Sequence, residues 1–245
     1  MANPIQALAS LLAAGAMLLT QPVTEVTPQN NPDDLLLVNR EWRISGDYEP
    51  EVRVSQVPGQ VRRLRDEAAT QLEAMFADCR RETGKQMLSV SGYRDYARQV
   101  RIWERKLRSV HGDTDAADAY VARPGASEHQ TGLTMDVGER GNKDTLGEAF
   151  GDSVSGQWMR ENAWRYGFIL RYDQGWEEIT GYAYEPWHFR YVGVEHAARI
   201  HELNIPLEEY LLIVRRERLL DKLTAGDTAP LEDEAPALLE ALPGE

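Results

Sequence analysis

An apolar stripe between Val61 and Cys79 constrains the fold more than any other feature of this sequence. Its members recur at spacings of three or four residues, which is typical of one buried helical face: Val61, Leu64, Ala68, Leu72, Met75 and Cys79. The pattern predicts a helix that ends near Gly84. Such a helix has to bury its apolar face against another layer of structure, so the chain is expected to form a packed core.

Short β-prone runs follow this helix and alternate with further helical patterns. Strands are predicted at 87–91, 133–137, 168–170 and 187–192. Asp95 offers an N-cap to a second helix, a third helix over 154–166 is closed by Gly167, and two helices follow the last strand. Residues 111–128 lack a period and are predicted to form a loop. The fold class expected from this order is α+β, with a mainly antiparallel sheet flanked by helices.

The two ends of the chain differ in composition from its middle. Residues 1–34 hold an apolar run over 5–20 and a linker rich in Pro, Asn and Asp, followed by a predicted single folded domain over 35–223. The apolar run has the length of an export-signal core and could also act as an anchor, although no Lys or Arg precedes Arg40. A misplaced start codon, a membrane-proximal remnant or a plain amphipathic helix would each explain the missing positive charge. The acidic stretch 224–245 is predicted to be a flexible tail.

Charge and cysteine content exclude two classes of site. The formal net charge is −13, which repels phosphate backbones and argues against nucleic acid as a partner. Cys79 is the single cysteine, so it cannot form an internal disulfide, and its place in the apolar stripe predicts a buried side chain. Any metal therefore has to be held by histidines and carboxylates.

Two histidines lie in segments that are dense in polar and aromatic residues. His129 and Asp136 flank a glycine turn, and His188 follows Glu185 by three residues, with Pro186 disfavouring a helical arrangement of that pair. Two histidines and one aspartate meet the ligand count of a catalytic zinc site. A lone histidine in a loop is more often a surface or core residue, so these residues taken singly leave the question open.

Arg94 and Trp187 are further candidates. A cation at a helix start opposes the helix dipole, so an anionic partner near Arg94 would explain it, although a solvent-facing arginine is the plain alternative. Trp187 stands between Glu185 and His188 and is predicted to form a pocket wall, although a place in the strand core would also suit it.

The ordered set of motifs resembles the VanY-type D,D-carboxypeptidases, zinc peptidases of the M15 group that trim bacterial peptidoglycan stem peptides. The resemblance spans approximately Leu35 to Asn204. It rests on five segments, at 35–40, 91–99, 127–136, 166–172 and 179–193, which read LLLVNR, SGYRDY with Gln99, SEHQTGLTMD, YGFILRY and ITGYAYEPWHFRYVG.

The resemblance implies a hedgehog/D,D-peptidase-like fold with zinc as cofactor. It implies that His129, Asp136 and His188 bind the metal, that Glu185 is the general base and later acid, and that Arg94 faces the substrate. It further implies that Gln99 and Ser127 line the substrate site beside Trp187. The expected substrate is a peptidoglycan stem peptide ending in D-Ala-D-Ala.

Other functions remain open at this stage. An L,D-carboxypeptidase, an endopeptidase or a D,D-dipeptidase could use the same residues, and a non-catalytic wall-binding module could share the fold. An extracytoplasmic location is expected, with the cytoplasm as the alternative if the N-terminal run is not an export signal or anchor. Beyond such an anchor no stable membrane domain is expected, and the sequence does not define the oligomeric state.

Overall fold

A computed structural model describes residues 34–118, 120–142 and 146–224. The predictions made for 1–33 and 225–245 lie outside these residues. Of the described residues, those up to 207 belong to one compact unit and Glu208–Thr224 belong to a second. The predicted bounds of a single domain over 35–223 stay a prediction.

The larger unit is organised by two antiparallel sheets. Strands β1 (Arg53–Val54) and β2 (Arg63–Leu64) form a two-stranded sheet. The main sheet contains β3 (Met87–Ser91), β4 (Thr134–Glu139), β5 (Phe168–Leu170) and β6 (His188–Tyr191). Its spatial order is β3-β4-β6-β5, and every neighbouring pair is antiparallel. The α+β fold class with a mainly antiparallel sheet is therefore confirmed.

The long helix α1 spans Asp66–Thr83 and begins later than the apolar stripe predicted. Val61 and Leu64 precede it, because the backbone around them makes hydrogen bonds to distant loops instead. Tyr93 N donates to Arg63 O at 2.7 Å, and Arg65 N donates to Gly132 O at 2.8 Å. Leu64 is nevertheless buried. Its apolar character therefore indicates a buried side chain and does not indicate that the residue lies in a helix. The helix ends at Gly84, whose φ of 72° suits glycine, as predicted.

The described residues contain six further α-helices. They are α2 (Tyr96–Ser109), α3 (Thr114–Asp118), α4 (Val154–Asn162), α5 (Glu177–Thr180), α6 (Val194–Leu203) and α7 (Leu207–Thr224). Asp95 caps α2 as predicted by accepting a hydrogen bond from Arg98 N at 2.6 Å. The predicted third helix continues past α4 as a 3-10 turn over 163–166 and is closed by Gly167. The predicted loop over 111–128 contains the short helix α3.

The core of the larger unit lies between α1, α4 and the main sheet. Apolar side chains from α1 pack with residues of β3, β4 and β6, among them Leu72, Met75, Met87, Val137 and Phe189. Cys79 is a free, buried thiol in this core, as predicted. Within the described ranges, no helix combines the length and the apolar character that a bilayer-spanning segment needs.

Candidate metal and catalytic site

His129 is positioned by a short 3-10 helix, Glu128–Thr131, that precedes β4. Gly132 ends this turn with φ of 71°, and a Cβ there would lie 2.8 Å from Val52 Cγ1. Glycine is thus required where the chain reverses into β4. His129 Nδ1 lies 2.9 Å from the carbonyl oxygen of Gly92. Because a carbonyl only accepts, Nδ1 carries the proton and Nε2 is left to bind a metal.

Asp136 and His188 face each other across two strands of the main sheet. They are direct partners in the antiparallel register of β4 and β6. Directly opposed residues bring their side chains close on one face of a sheet, and His188 Nδ1 lies 3.1 Å from Asp136 Oδ1. Sheet register therefore brings together two residues that are far apart in the sequence.

The three predicted ligands converge on one buried point. His129 Nε2 lies 3.2 Å from Asp136 Oδ2, and the metal-binding atoms of His129, Asp136 and His188 all lie within 4.8 Å of one another. All three side chains are buried. Asp136 Oδ1 is buried without a hydrogen-bond partner despite the nearby imidazole. A buried carboxylate oxygen without a hydrogen bond is costly unless another group, such as a cation, satisfies it.

Glu185 stands beside this cluster at the start of a tight turn. His188 N donates to Glu185 O at 3.0 Å, which closes the turn over Pro186 and keeps the pair out of a helix, as predicted. Glu185 Oε2 lies 3.5 Å from His188 Nδ1. Burial raises the pKa of Glu185 to about 7, an effect that Asp136 and Glu128 strengthen and that His188 and Arg94 oppose. A carboxylate with this pKa is suited to exchanging protons near neutral pH.

Arg94 points into the same region and is held by neutral groups. Its Nη1 donates to Gln99 Oε1 at 2.8 Å, and its Nη2 lies 3.3 Å from Ser91 Oγ. Burial lowers the pKa of Arg94, and Asp136 and Glu185 counteract this effect from a distance. Among the residues that the structure describes, no carboxylate forms an ion pair with Arg94. This guanidinium can therefore receive an anionic group.

The remaining predicted substrate residues have different surroundings. Gln99 is fully buried, and its amide also donates to Ala122 O at 2.6 Å, so both of its ends are engaged. Ser127 is buried directly before the 3-10 helix that carries His129. Trp187 is half-buried and packs against the apolar core, while its carbonyl accepts from Val137 N at 3.0 Å. Both predicted roles of Trp187, pocket wall and strand core, are compatible with this position.

Four residues around His188 were not predicted from the sequence. Glu128 is fully buried and contacts His188 as well as two fully buried arginines, Arg171 and Arg190. The ring of Tyr172 lies 4.7 Å from that of His188, centroid to centroid. An indication was present, because Arg190 lies in the predicted strand 187–192 and Arg171 directly follows the predicted strand 168–170, and charged residues are rarely buried unless they are paired.

The charges of the cluster are set by burial and by the neighbouring groups. Burial lowers the pKa of His129, and the neighbouring Asp136 opposes this effect. Burial alone would raise the pKa of Asp136, but His129 and His188 hold it well below its usual range. For His188 burial acts to lower the pKa, yet Asp136 and Glu128 together raise it to about 9. The cluster thus carries ionised carboxylates that favour a cation.

Comparison with known proteins identifies the family of this chain. Residues 61–194, more than half of the chain, match the family model VanY, described as D-alanyl-D-alanine carboxypeptidase. The protein YodJ of Bacillus subtilis (strain 168), named as a candidate carboxypeptidase, is 44% identical over 199 residues, which cover 78% of this chain and 71% of that protein.

Solved structures agree with this match. The LdcB LD-carboxypeptidase is 43% identical with a TM-score of 0.70, over 75% of this chain and 86% of that one. A variant of the vancomycin-resistance D,D-pentapeptidase VanY in complex with Zn(II) is 36% identical with a TM-score of 0.61, over 73% of this chain and 98% of that one. The chain therefore belongs to the VanY family of D-alanyl-D-alanine carboxypeptidases, and it is a zinc carboxypeptidase.

Proposed function

We propose that this chain removes the terminal D-alanine from peptidoglycan stem peptides that end in D-Ala-D-Ala, with Glu185 as general base and Arg94 as the anion-binding group. The observation that carries the proposal is the convergence of His129, Asp136 and His188 beside Glu185. Hydrolysis of a peptide bond needs both an activated water and a proton donor for the leaving amine. Glu185 can serve in both steps.

The three ligand residues fit a zinc ion by their chemistry. Two imidazoles and one carboxylate leave a fourth position open, as catalytic zinc sites require. The buried Asp136 Oδ1 that lacks a hydrogen bond would be satisfied by a cation. When bound, zinc supplies Lewis acidity, which polarises a carbonyl and makes water more acidic. His129 Nε2, His188 Nδ1 and the Asp136 carboxylate would hold it.

Glu185 performs the proton transfers in this proposal. Its carboxylate accepts the proton of the attacking water and returns it to the nitrogen of the departing D-alanine. Its partial exposure, with 27% of the side chain accessible, leaves it open to substrate, whereas Asp136 is 8% exposed. The carboxylate that can meet a substrate is therefore Glu185.

Arg94 would bind the oxygen that gains negative charge, or the terminal carboxylate of the substrate. A donor aimed at developing charge contributes about 3 kcal/mol in other enzymes. Gln99 and Ser91 hold this guanidinium through hydrogen bonds. We therefore assign Gln99 a positioning role toward Arg94, and we keep Ser127 and Trp187 as candidates for the walls of the substrate site.

The direct test is release of D-alanine from a pentapeptide ending in D-Ala-D-Ala, with and without a chelator. A tetrapeptide stem and free D-Ala-D-Ala serve as parallel substrates. We expect chelator-sensitive release from the pentapeptide. Activity on the tetrapeptide alone would indicate an L,D-carboxypeptidase, and activity on the dipeptide alone would indicate a dipeptidase. No release by the zinc-loaded protein would indicate a binding module.

Two substitutions separate the metal ligands from the base. Glu185→Ala is expected to keep zinc and to lose at least about a hundredfold in kcat, because proton transfer contributes about 10²–10⁴. His188→Ala is expected to lose both zinc and turnover. Metal content and D-alanine release measured on both variants test these roles. Wild-type turnover in Glu185→Ala would remove it from the mechanism.

We further propose that the protein acts outside the cytoplasm, because its substrate class is a component of the cell wall. The predicted N-terminal export signal or anchor lies in 1–33. Fractionation of cells and protease accessibility of the protein in intact protoplasts test this location. Recovery in the cytosolic fraction alone would favour the cytoplasmic alternative.

A further inference from the structure

We infer that Glu128, held by Arg171 and Arg190, is a positioning residue that fixes the tautomer and orientation of His188, so that Nδ1 faces the metal. This inference rests on the proposed role of His188 as a ligand. It concerns Glu128, which lies at Nε2 of His188, whereas Asp136 lies at Nδ1 of the same ring.

The contact between Glu128 and His188 is direct and buried. Glu128 Oε2 lies 3.2 Å from His188 Nε2, on the side of the ring opposite to Asp136, and its side chain is 0% exposed. An ionised carboxylate can only accept a hydrogen bond, so Nε2 has to donate. Nδ1 of the neutral ring is then the nitrogen with a free lone pair.

Two arginines hold Glu128 in place through its second carboxylate oxygen. Glu128 Oε1 accepts from Arg171 Nε and from Arg190 Nη1, both at 2.9 Å, and both side chains are 0% exposed. Arg190 is anchored in turn by the backbone, because its Nη2 donates to Asp34 O at 2.8 Å and to Leu36 O at 2.7 Å. A buried carboxylate balanced and oriented in this way has little freedom to turn away from His188.

The free-energy cost of burying these three charged side chains indicates that they have a role beyond stability. Two arginines and one glutamate taken out of water carry a large desolvation penalty, and an apolar core of the same volume would often be at least as stable. Groups of this kind beside metal-binding histidines commonly set the tautomer and the orientation of the ring. The two arginines meet at one oxygen of Glu128, and its other oxygen faces His188 Nε2, which gives the network this task.

His129 is positioned by a different device. Its Nδ1 donates to the Gly92 carbonyl, which leaves Nε2 toward Asp136. The two imidazoles should therefore bind zinc through opposite nitrogens, Nε2 of His129 and Nδ1 of His188. This difference can be measured.

The first experiment uses the zinc-loaded wild-type protein with ¹⁵N-labelled histidine. Two-bond ¹H–¹⁵N correlations report which nitrogen of each ring carries a proton. We expect a proton on Nδ1 of His129 and a slowly exchanging proton on Nε2 of His188. A proton on Nδ1 of His188 would overturn the inference, and this measurement does not depend on the folding of a variant.

The second experiment compares Glu128→Gln with Glu139→Gln, using zinc affinity from competition with a chelator. Glu139 is a matched control, because it is also a buried carboxylate, with Ser155 N at 3.1 Å, and contacts no predicted ligand. The amide group introduced by Glu128→Gln could face His188 Nε2 with a donor and favour the wrong tautomer. We expect Glu128→Gln to weaken zinc binding by about ten- to a hundredfold and Glu139→Gln to change it little.

His188→Ala, measured in parallel, separates two kinds of failure. If His188→Ala binds zinc as the wild type does, the ligand assignment itself is wrong. If His188→Ala loses zinc while Glu128→Gln binds as tightly as Glu139→Gln, the positioning role of Glu128 alone is wrong.

Discussion

At the scale of single residues, the site depends on side chains whose neighbours restrict what they can do. Gly92 O leaves His129 with one nitrogen for a metal, and Gln99 holds Arg94 with a neutral group that does not neutralise its charge. A partly buried arginine held only by neutral groups is costly to maintain. That cost is offset when an anionic substrate group arrives.

Replacing Arg94 by lysine tests this anion-binding role. Lysine keeps the charge but has one nitrogen in place of the planar guanidinium, so it does not reproduce the arrangement of donors toward Gln99 and an anionic group. We expect kcat/KM to fall about 10²–10³-fold with zinc content unchanged. Arg98→Lys is the matched control, because Arg98 is exposed on the next helix and should tolerate the change. Equal activity of the two variants would contradict the role of Arg94.

Zinc affinity should depend on pH through His188. Burial acts against its charged form, but Asp136 and Glu128 raise the pKa of the metal-free imidazole to about 9. Below that pH the proton competes with the metal, so affinity should rise with pH, by up to about tenfold per unit until pH 9. Calorimetry at pH 7 in buffers of different ionisation enthalpy should detect proton release on binding. Zinc binding without proton release would show that His188 is already neutral.

At the scale of elements, the site is made by sheet register. The sequence allowed the four strands of the main sheet, the end of α1 and the cap of α2 to be predicted from local patterns. It did not reveal that Asp136 pairs with His188, because strand pairing depends on contacts between distant segments. The start of α1 was misplaced for a related reason, since Arg63 and Arg65 bond to remote backbone groups.

The candidate site was predicted from motifs more completely than from physical patterns. Spacing alone left His129, Asp136 and His188 undecided, and the family resemblance supplied their roles. Glu128 was missed although it adjoins His129, because its partners Arg171 and Arg190 are more than 40 residues away in the sequence. Buried charge networks are set by tertiary structure, which a local pattern does not reveal.

Gly92 directly follows β3, and its carbonyl accepts a hydrogen bond from His129, so it connects the end of β3 to the metal site. Gly92→Ala tests this connection. A Cβ at this position would lie 2.6 Å from Arg63 O and 3.0 Å from Met135 Cε, so the backbone would have to shift. We expect the free energy of unfolding to fall by about 1–3 kcal/mol. Zinc affinity should fall too, because Gly92 O orients His129.

Gly46→Ala is the control for this substitution. A Cβ at this position would lie 3.5 Å from the Tyr96 ring, which is an ordinary contact. The free energy of unfolding and the zinc affinity should therefore change little. Urea denaturation and chelator competition measure them. Wild-type stability together with wild-type zinc affinity in Gly92→Ala would refute the link.

At the scale of the whole molecule, carboxylates that are ionised and hydrogen-bonded in the folded chain make stability sensitive to acid. One carboxylate contributes through a defined network that joins α1 to the first sheet. Glu73 on α1 forms an ion pair with Arg53 at 2.7 Å and accepts from Ser55 Oγ and from Gln56 N. The hydrogen bonds from these donors are strongest when Glu73 is ionised. The contact between α1 and the first sheet therefore depends on pH.

Glu73→Gln should lower stability at neutral pH and have little effect in strong acid. Hydrogen bonding from Arg53, opposed by burial and helped by Gln56 and Ser55, lowers the pKa of Glu73 from 4.5 to about 2 in the folded chain. A depressed folded-state pKa means that the stabilisation is complete above pH 4.5 and is lost as pH falls toward 2. Since Glu73 and Arg53 are partly exposed, we expect a loss of about 1–2 kcal/mol at pH 7.

Urea denaturation in the presence of a chelator, at pH 7 and at pH 3, measures this effect without a contribution from zinc. The difference between wild type and Glu73→Gln should shrink between these two pH values, because at pH 3 Glu73 is already protonated in the unfolded chain, so that keeping it ionised in the folded chain contributes less stability. Glu104→Gln is the control, since its ion pair with Arg108 has side chains 56% and 71% exposed and should contribute little at either pH. If the effect of Glu73→Gln were the same at both pH values, its cause would be packing and not the charge of the carboxylate.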